Sequence, residues 1–140
     1  MNVRHPMTDK QRAEEADTAR RVGAWFGWEL RRFPSVHAID YYAHDNGAVE
    51  AWIEIKCKAR PFGNVGLDWS KYLWLLHAWA ASGVRSLFVV RFTDAIAWVD
   101  VATIPVGRLH VAGRKDRGDP ADLMPMFWID AGDLTRLGEP

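Results

Sequence analysis

Three side chains in the first half of the chain have the types and spacing to do chemistry: Asp40, and the Glu54 and Lys56 of a Glu-Ile-Lys run. Over residues 48–58, Val49, Ala51, Ile53, Ile55 and Cys57 alternate with Glu50, Trp52, Glu54, Lys56 and Lys58. A period of two is that of a strand with one apolar face, so Glu54 and Lys56 project to the same side. Carboxylate oxygens are hard donors suited to Mg²⁺ or Mn²⁺, and a positioned ammonium can orient a water and stabilise developing charge. The set suits hydrolysis assisted by a hard cation, provided that Asp40 reaches the same side. Alone, Glu-x-Lys is also an ordinary solvated ladder of charge, so the surrounding elements must decide.

Register is the first requirement. Asp45-Asn46-Gly47 separates the strand over 48–58 from an extended stretch over 36–44, and the two read as a hairpin. A two-residue Asn46-Gly47 turn puts Asp40 on the face opposite Glu54. A three-residue loop, type I with Gly47 left-handed, pairs His44 with Ala48 and Asp40 with Trp52. Glu54 is then diagonal to Asp40 on one face, ~7–8 Å away between backbone positions. The three-residue loop is therefore expected.

The flanking elements follow from periodicity. Residues 1–10 form a loose arm, and from about Gln11 to Arg32 Ala16, Ala19, Val22, Gly23 and Phe26 recur at helical spacing. Glu15 shares the stripe of Ala19, Val22 and Phe26, where a carboxylate needs a reason. Pro34 and Ser35 end that helix, and residues 60–66 form a loop. Asp68 is placed to cap a second helix over 69–82, with Gly83 as its left-handed stop. Leu87-Phe88-Val89-Val90 is apolar at every position, as in a central strand covered on both faces. Further strands are expected over 95–104 and 126–129, with Asp94 and Asp100 at strand ends, and a short terminal helix over 130–137. No repeat or linker interrupts this order, so the 140 residues read as one domain.

Composition removes other classes. Eighteen Lys plus Arg balance eighteen Asp plus Glu, so nucleic acid would have to be held by a local patch rather than by bulk charge. Lys56, Lys58 and Arg60 at alternate positions, and Arg108, Arg114, Lys115 and Arg117 in a Gly-rich segment, could supply one. The single cysteine, Cys57, rules out a disulfide framework and fits a core position. Five scattered histidines show no zinc-ligand spacing. No stretch approaches the ~20 apolar residues of a membrane span, and the first residues are not signal-like, so a soluble, cytoplasmic chain with no membrane contact is expected. Of the eight tryptophans, Trp25, Trp74, Trp79 and Trp98 fall at expected core positions, whereas Trp52 and Trp69 are better placed to touch a substrate.

The order of helix, hairpin with Asp and then Glu-x-Lys, helix, and buried strand resembles the PD-(D/E)xK nuclease superfamily. The matching pieces are Ile39-Asp40, Glu54-Ile55-Lys56, Glu15 on the preceding helix, and Asp68-Trp69-Ser70-Lys71 followed by 87–91, roughly from Glu14 to Phe92. Within the superfamily the chain is similar to small single-domain members such as archaeal Holliday-junction resolvases and phage-type nucleases. Ile39 replaces the motif's proline and leaves the ligand intact.

The resemblance implies an α/β fold with a mixed sheet (α+β): a restriction-endonuclease-like αβββαβ core whose central sheet is flanked by helices. It also implies phosphodiester hydrolysis, in which negative charge must be neutralised while a water is aimed at phosphorus. Asp40, Glu54 and the Ile55 carbonyl would hold Mg²⁺ or Mn²⁺, joined by Glu15 directly or through water. Lys56 would orient or deprotonate the attacking water. Lys71 resembles the extra basic or amide residue that members place near the phosphate. Lys58, Arg60, Trp69, Ser70, Arg114, Lys115 and Arg117 are candidate contacts to DNA, duplex or branched, and a homodimer is expected because two strands need two sites. The alternatives are an inactive nuclease-fold binding or structural subunit, and an unrelated α+β interaction module with a merely charged hairpin.

Overall fold

The computed structural model describes residues 7–105, 109–113 and 123–138. Helix α1, Asp9–Phe26, opens at Thr8, whose side chain accepts from the Gln11 amide while Gln11 answers with its own side chain, a reciprocal capping box. It closes at Gly27, which takes the left-handed conformation at φ 75° that a side chain resists. The helix thus ends before Arg32. Glu29–Arg32 turns back as strand β1, pairing antiparallel with β2, Tyr41–Asp45. The sequence disguised this strand because its one apolar residue, Leu30, also fits the helical stripe.

Strand β3, Ala48–Cys57, completes the hairpin. Strand β4, Val65–Asp68, begins inside the segment expected to be loop, and leads into helix α2, Trp69–Ser82. Asp68 caps α2 by accepting from the Ser70 amide, and Gly83 stops it at φ 71°, both as expected. Strands β5, Arg85–Arg91, and β6, Ile96–Asp100, follow; the latter is shorter than expected because Asp100 caps a single 3₁₀ turn over Val101–Thr103. Strands β7, Leu109–Gly113, and β8, Leu123–Ile129, pair with each other. The expected terminal helix is absent: after one 3₁₀ turn the chain extends as β9, Thr135–Arg136, because Leu134 is buried and the Leu137 amide donates to Ile96 on β6.

The six-stranded sheet has the order β1-β2-β3-β5-β6-β9, antiparallel throughout except for the parallel β3–β5 pair. Leu87–Val90 accordingly lies mid-sheet between β3 and β6, completely buried. Helix α1 covers one face, where Ala19 and Val22 pack on Tyr41, Ala43, Ala51, Ile53, Ile55, Leu87 and Val89. Helix α2 and the small β4-β8-β7 sheet cover the other, joining Leu75, Val65, Leu67 and Phe127 to Phe88 and Val90. Three expected core tryptophans, Trp25, Trp74 and Trp79, are exposed instead; on α2, Leu75 is fully buried and Trp69, Tyr72 and Leu76 pack against the core, a stripe that leaves out Trp74 and Trp79. Among the described residues, no helix is long and apolar enough to cross a membrane.

Candidate active site

The hairpin that carries Asp40 and Glu54 reaches a productive register by an unexpected route. Asp45 pairs with Ala48, so the turn is the two-residue Asn46-Gly47, with φ 50° and 85° at its two positions, as a type I′ turn requires. Continued regularly, this pairing would send Asp40 to the wrong face. A bulge corrects it: His44 pairs with Val49 but Ala43 with Ala51, leaving Glu50 without a partner. From there Tyr42 pairs with Trp52 and Tyr41 with Ile53. Asp40, the residue before β2, therefore arrives beside Glu54, two residues further along β3 than the expected Asp40–Trp52 register. The three-residue loop is overturned; its purpose, a shared face, is met by the bulge.

Glu54 is buried on the α2 side of β3 rather than displayed on a solvated face. Its Oε1 lies 3.3 Å from the Lys71 ammonium, which also donates to the Ala38 carbonyl at 2.8 Å. Its Oε2 is buried with no hydrogen-bond partner. Burial first, then the adjacent Asp40 charge, push its pKa up to about 8, with Lys71 opposing. The Asp40 carboxylate beside it thus favours the protonated form of Glu54. Asp40 is anchored by the Ile55 amide, which donates to its Oδ2 at 3.4 Å. In an extended strand a residue's N–H and C=O point the same way, so the Ile55 carbonyl also turns toward Asp40.

Glu15 reaches this cluster from α1. It is buried, as its place on the inward stripe required, and its pKa is raised by burial and by Asp40, against the Tyr41 hydroxyl, Arg32 and Lys71. Arg32 stands 3.5 Å from Glu15. Tyr41 is buried, and burial followed by Glu15 raises its pKa above the usual phenol value. Sequence reasoning missed both partners. Tyr41 left one signal, a phenol on an apolar face directly after Asp40; Arg32 left none once it was read as helical.

Lys56 follows Glu54 by one pleat, exposed at the mouth of the cluster. Lys58 is half-buried, and burial, then the charges of Lys56 and Arg60, push its pKa down to about 8. Arg60 is turned inward, donating to the Asn64 carbonyl and lying over the Phe92 ring. Ser70 Oγ donates to Asp68 within the helix cap, and Trp69 stacks on Tyr72 with ring centroids 5.5 Å apart. Cys57 is half-buried against the α1-side core, where burial raises its pKa. Arg108, Arg114, Lys115 and Arg117 lie outside the described residues.

Among the described residues no three His, Cys, Asp or Glu side chains form a closed metal cage. Two carboxylates, an unpartnered buried oxygen and a backbone carbonyl do fit a hard cation such as Mg²⁺, which keeps several waters and takes only one or two protein carboxylates.

A family model described as "Phage putative PDDEXK endonuclease" matches residues 4–137. Among solved structures, the chain is similar to Hjc, a Holliday junction resolvase from the archaeal hyperthermophile Archaeoglobus fulgidus. The TM-score is 0.52 at 14% identity, covering 85% of this chain and 84% of that one. No curated protein matches.

Proposed function

Because the chain belongs to the family of phage PDDEXK endonucleases, we propose that it hydrolyses DNA phosphodiesters with a divalent cation, Mg²⁺ or Mn²⁺, held by Asp40, Glu54 and the Ile55 carbonyl. The observation that carries this reading is the hairpin register that sets Asp40 beside the buried Glu54, with one Glu54 oxygen unpartnered. Two neighbouring carboxylates repel when both are ionised, and a cation between them relieves that repulsion. A bound divalent cation would neutralise phosphate charge and lower the pKa of a bound water.

The chain's own groups do the rest. The Ile55 amide fixes one Asp40 oxygen, and Lys71 fixes one Glu54 oxygen, so both remaining oxygens are held ready. Lys71 in turn is anchored to the Ala38 carbonyl, which ties α2 to the approach to Asp40. Lys71 is thus a positioning residue for Glu54 in this reading. Lys56, exposed beside Glu54, is the group free to orient an attacking water and to stabilise charge on the phosphate. Glu15, raised toward protonation by burial and then by Asp40, is available to accept or hold a proton on a water at the edge of the site.

Cutting both strands of a duplex or junction needs two such sites, so the reading extends to a homodimer acting on cytoplasmic DNA. The test is cleavage of labelled linear, single-stranded and four-way-junction DNA with Mg²⁺ or Mn²⁺, comparing wild type with Glu54→Ala and Lys56→Ala. Cleavage by wild type and its loss in both variants is the expected result. No metal-dependent cleavage by a folded wild type would shift the reading to a nuclease-fold binding subunit.

A further inference from the structure

Beside the site, a groove of about 640 Å³ runs between α1 and β1, lined by Arg12, Ala16, Ala19, Arg20 and Gly23 on the helix, with Leu30, Arg32 and Tyr41 facing them. On α1 these residues recur every three or four positions and so form one stripe. Its floor is low because the middle residues are small. At Gly23 an added Cβ would lie 2.7 Å from the Trp28 carbonyl oxygen, so only glycine lets β1 approach this closely.

The charge along the groove is one-sided. Glu29, the only carboxylate among the described residues of the lining, is already paired with Arg31 at 2.7 Å. Arg20 rests on Asp17 at 2.6 Å, but the pair is exposed and so contributes little, and Asp17 keeps Arg91 as a second partner. Arg32 stands at the end nearest the site, on Glu15. Arg12 and Arg20, eight residues apart, lie ~12 Å apart along the helix. One strand of a duplex presents a phosphate every ~3.4 Å of axis, so that span faces three or four of them.

We propose that this groove binds the phosphate backbone of the DNA flanking the scissile bond, with Arg12 and Arg20 as its phosphate contacts. The proposal rests on the nuclease reading of the neighbouring site and explains how a chain of zero net charge captures a polyanion.

The test is fluorescence anisotropy of an end-labelled DNA duplex with the intact chain in EDTA, where binding is read without cleavage, over a series of KCl concentrations. Arg12→Ala and Arg20→Ala are each expected to lower the slope of log K against log salt by about 0.9, and the double variant by about 1.8. Arg20→Lys should restore most of the slope, which a folding defect would not allow. Arg21→Ala, on the same helix but outside the groove, should leave it unchanged. A double variant with the wild-type slope, or an Arg21→Ala effect of equal size, overturns the groove even if the protein cuts DNA. A loss of slope confined to Arg12 and Arg20 supports it even in a protein that cuts nothing, where the nuclease reading alone would fail.

Discussion

On the face of β3 that meets α1, Ala51, Ile53 and Ile55 are buried among aliphatic neighbours; on the face that meets α2, Trp52 is half-buried, Glu54 buried and Lys56 exposed. One strand therefore carries a face built for packing and a face that holds a charge-bearing group inside the protein. An ionisable carboxyl in an apolar setting works against folding unless it is neutralised. Glu54 answers with Lys71 on one oxygen and with a pKa raised to about 8, which favours its neutral form. Along β3 the contrast separates positions used for packing, Ala51, Ile53 and Ile55, from the positions of the candidate site, Glu54 and Lys56.

The largest effect expected from breaking this contrast is on catalysis. Glu54→Gln should reduce metal-dependent cleavage by at least ~10³-fold, the several kcal/mol of barrier that a metal site supplies. Single-turnover assays would read it, and a variant that retains cleavage would remove Glu54 from the site. Its neighbour on the other face should do the reverse: Ile53→Ala should cost ~2–5 kcal/mol of stability by denaturant unfolding, with cleavage retained below the unfolding transition.

The two lysines sharpen the comparison within the reactive face. Lys56→Ala should slow cleavage ~10²–10³-fold at every pH, as loss of a group acting on the water would. Lys71→Ala should slow it ~10–100-fold, and the loss should shrink as pH rises, because without Lys71 the Glu54 carboxyl holds its proton more tightly. Identical pH profiles for the two variants would break the distinction between a group that acts and one that positions.

A third test uses the metal-free protein. The Glu54 carboxyl is raised from an ordinary value of 4.5 to about 8 in the folded state, so between these the folded chain binds more protons than the unfolded one. Stability must then fall as pH rises through that window, by on the order of a few kcal/mol. The thermal midpoint in EDTA should drop from pH 5 to pH 8, and Glu54→Gln should flatten the slope. A flat wild-type profile would mean that Glu54 is not held as a neutral acid.

The smallest expected effect concerns the bulge. Deleting Glu50 joins Val49 to Ala51 and leaves Ala43 opposite Ala51 and Tyr41 opposite Ile53. Cleavage should therefore stay within a few-fold of wild type. A loss as large as that of Glu54→Gln would show that the bulge shapes the site beyond setting its register.

Much of the site was legible in the residues themselves. The alternation over 48–58 put Glu54 and Lys56 on one face, the helical stripe turned Glu15 inward, and Asp68 and Gly83 bounded α2, because these are local properties of dihedral period and capping. The apolar run 87–90 likewise announced a strand covered on both sides. Tertiary structure decided the rest. A turn of two residues and an unpaired Glu50 together set the hairpin register, and either alone would have separated Asp40 from Glu54. The helix-to-strand break at Gly27 brought Arg32 back onto Glu15, and the packing of α2 laid Lys71 on Glu54 from seventeen positions away. Those outcomes depend on how distant segments meet, and a period in the sequence carries no information about the distance between them.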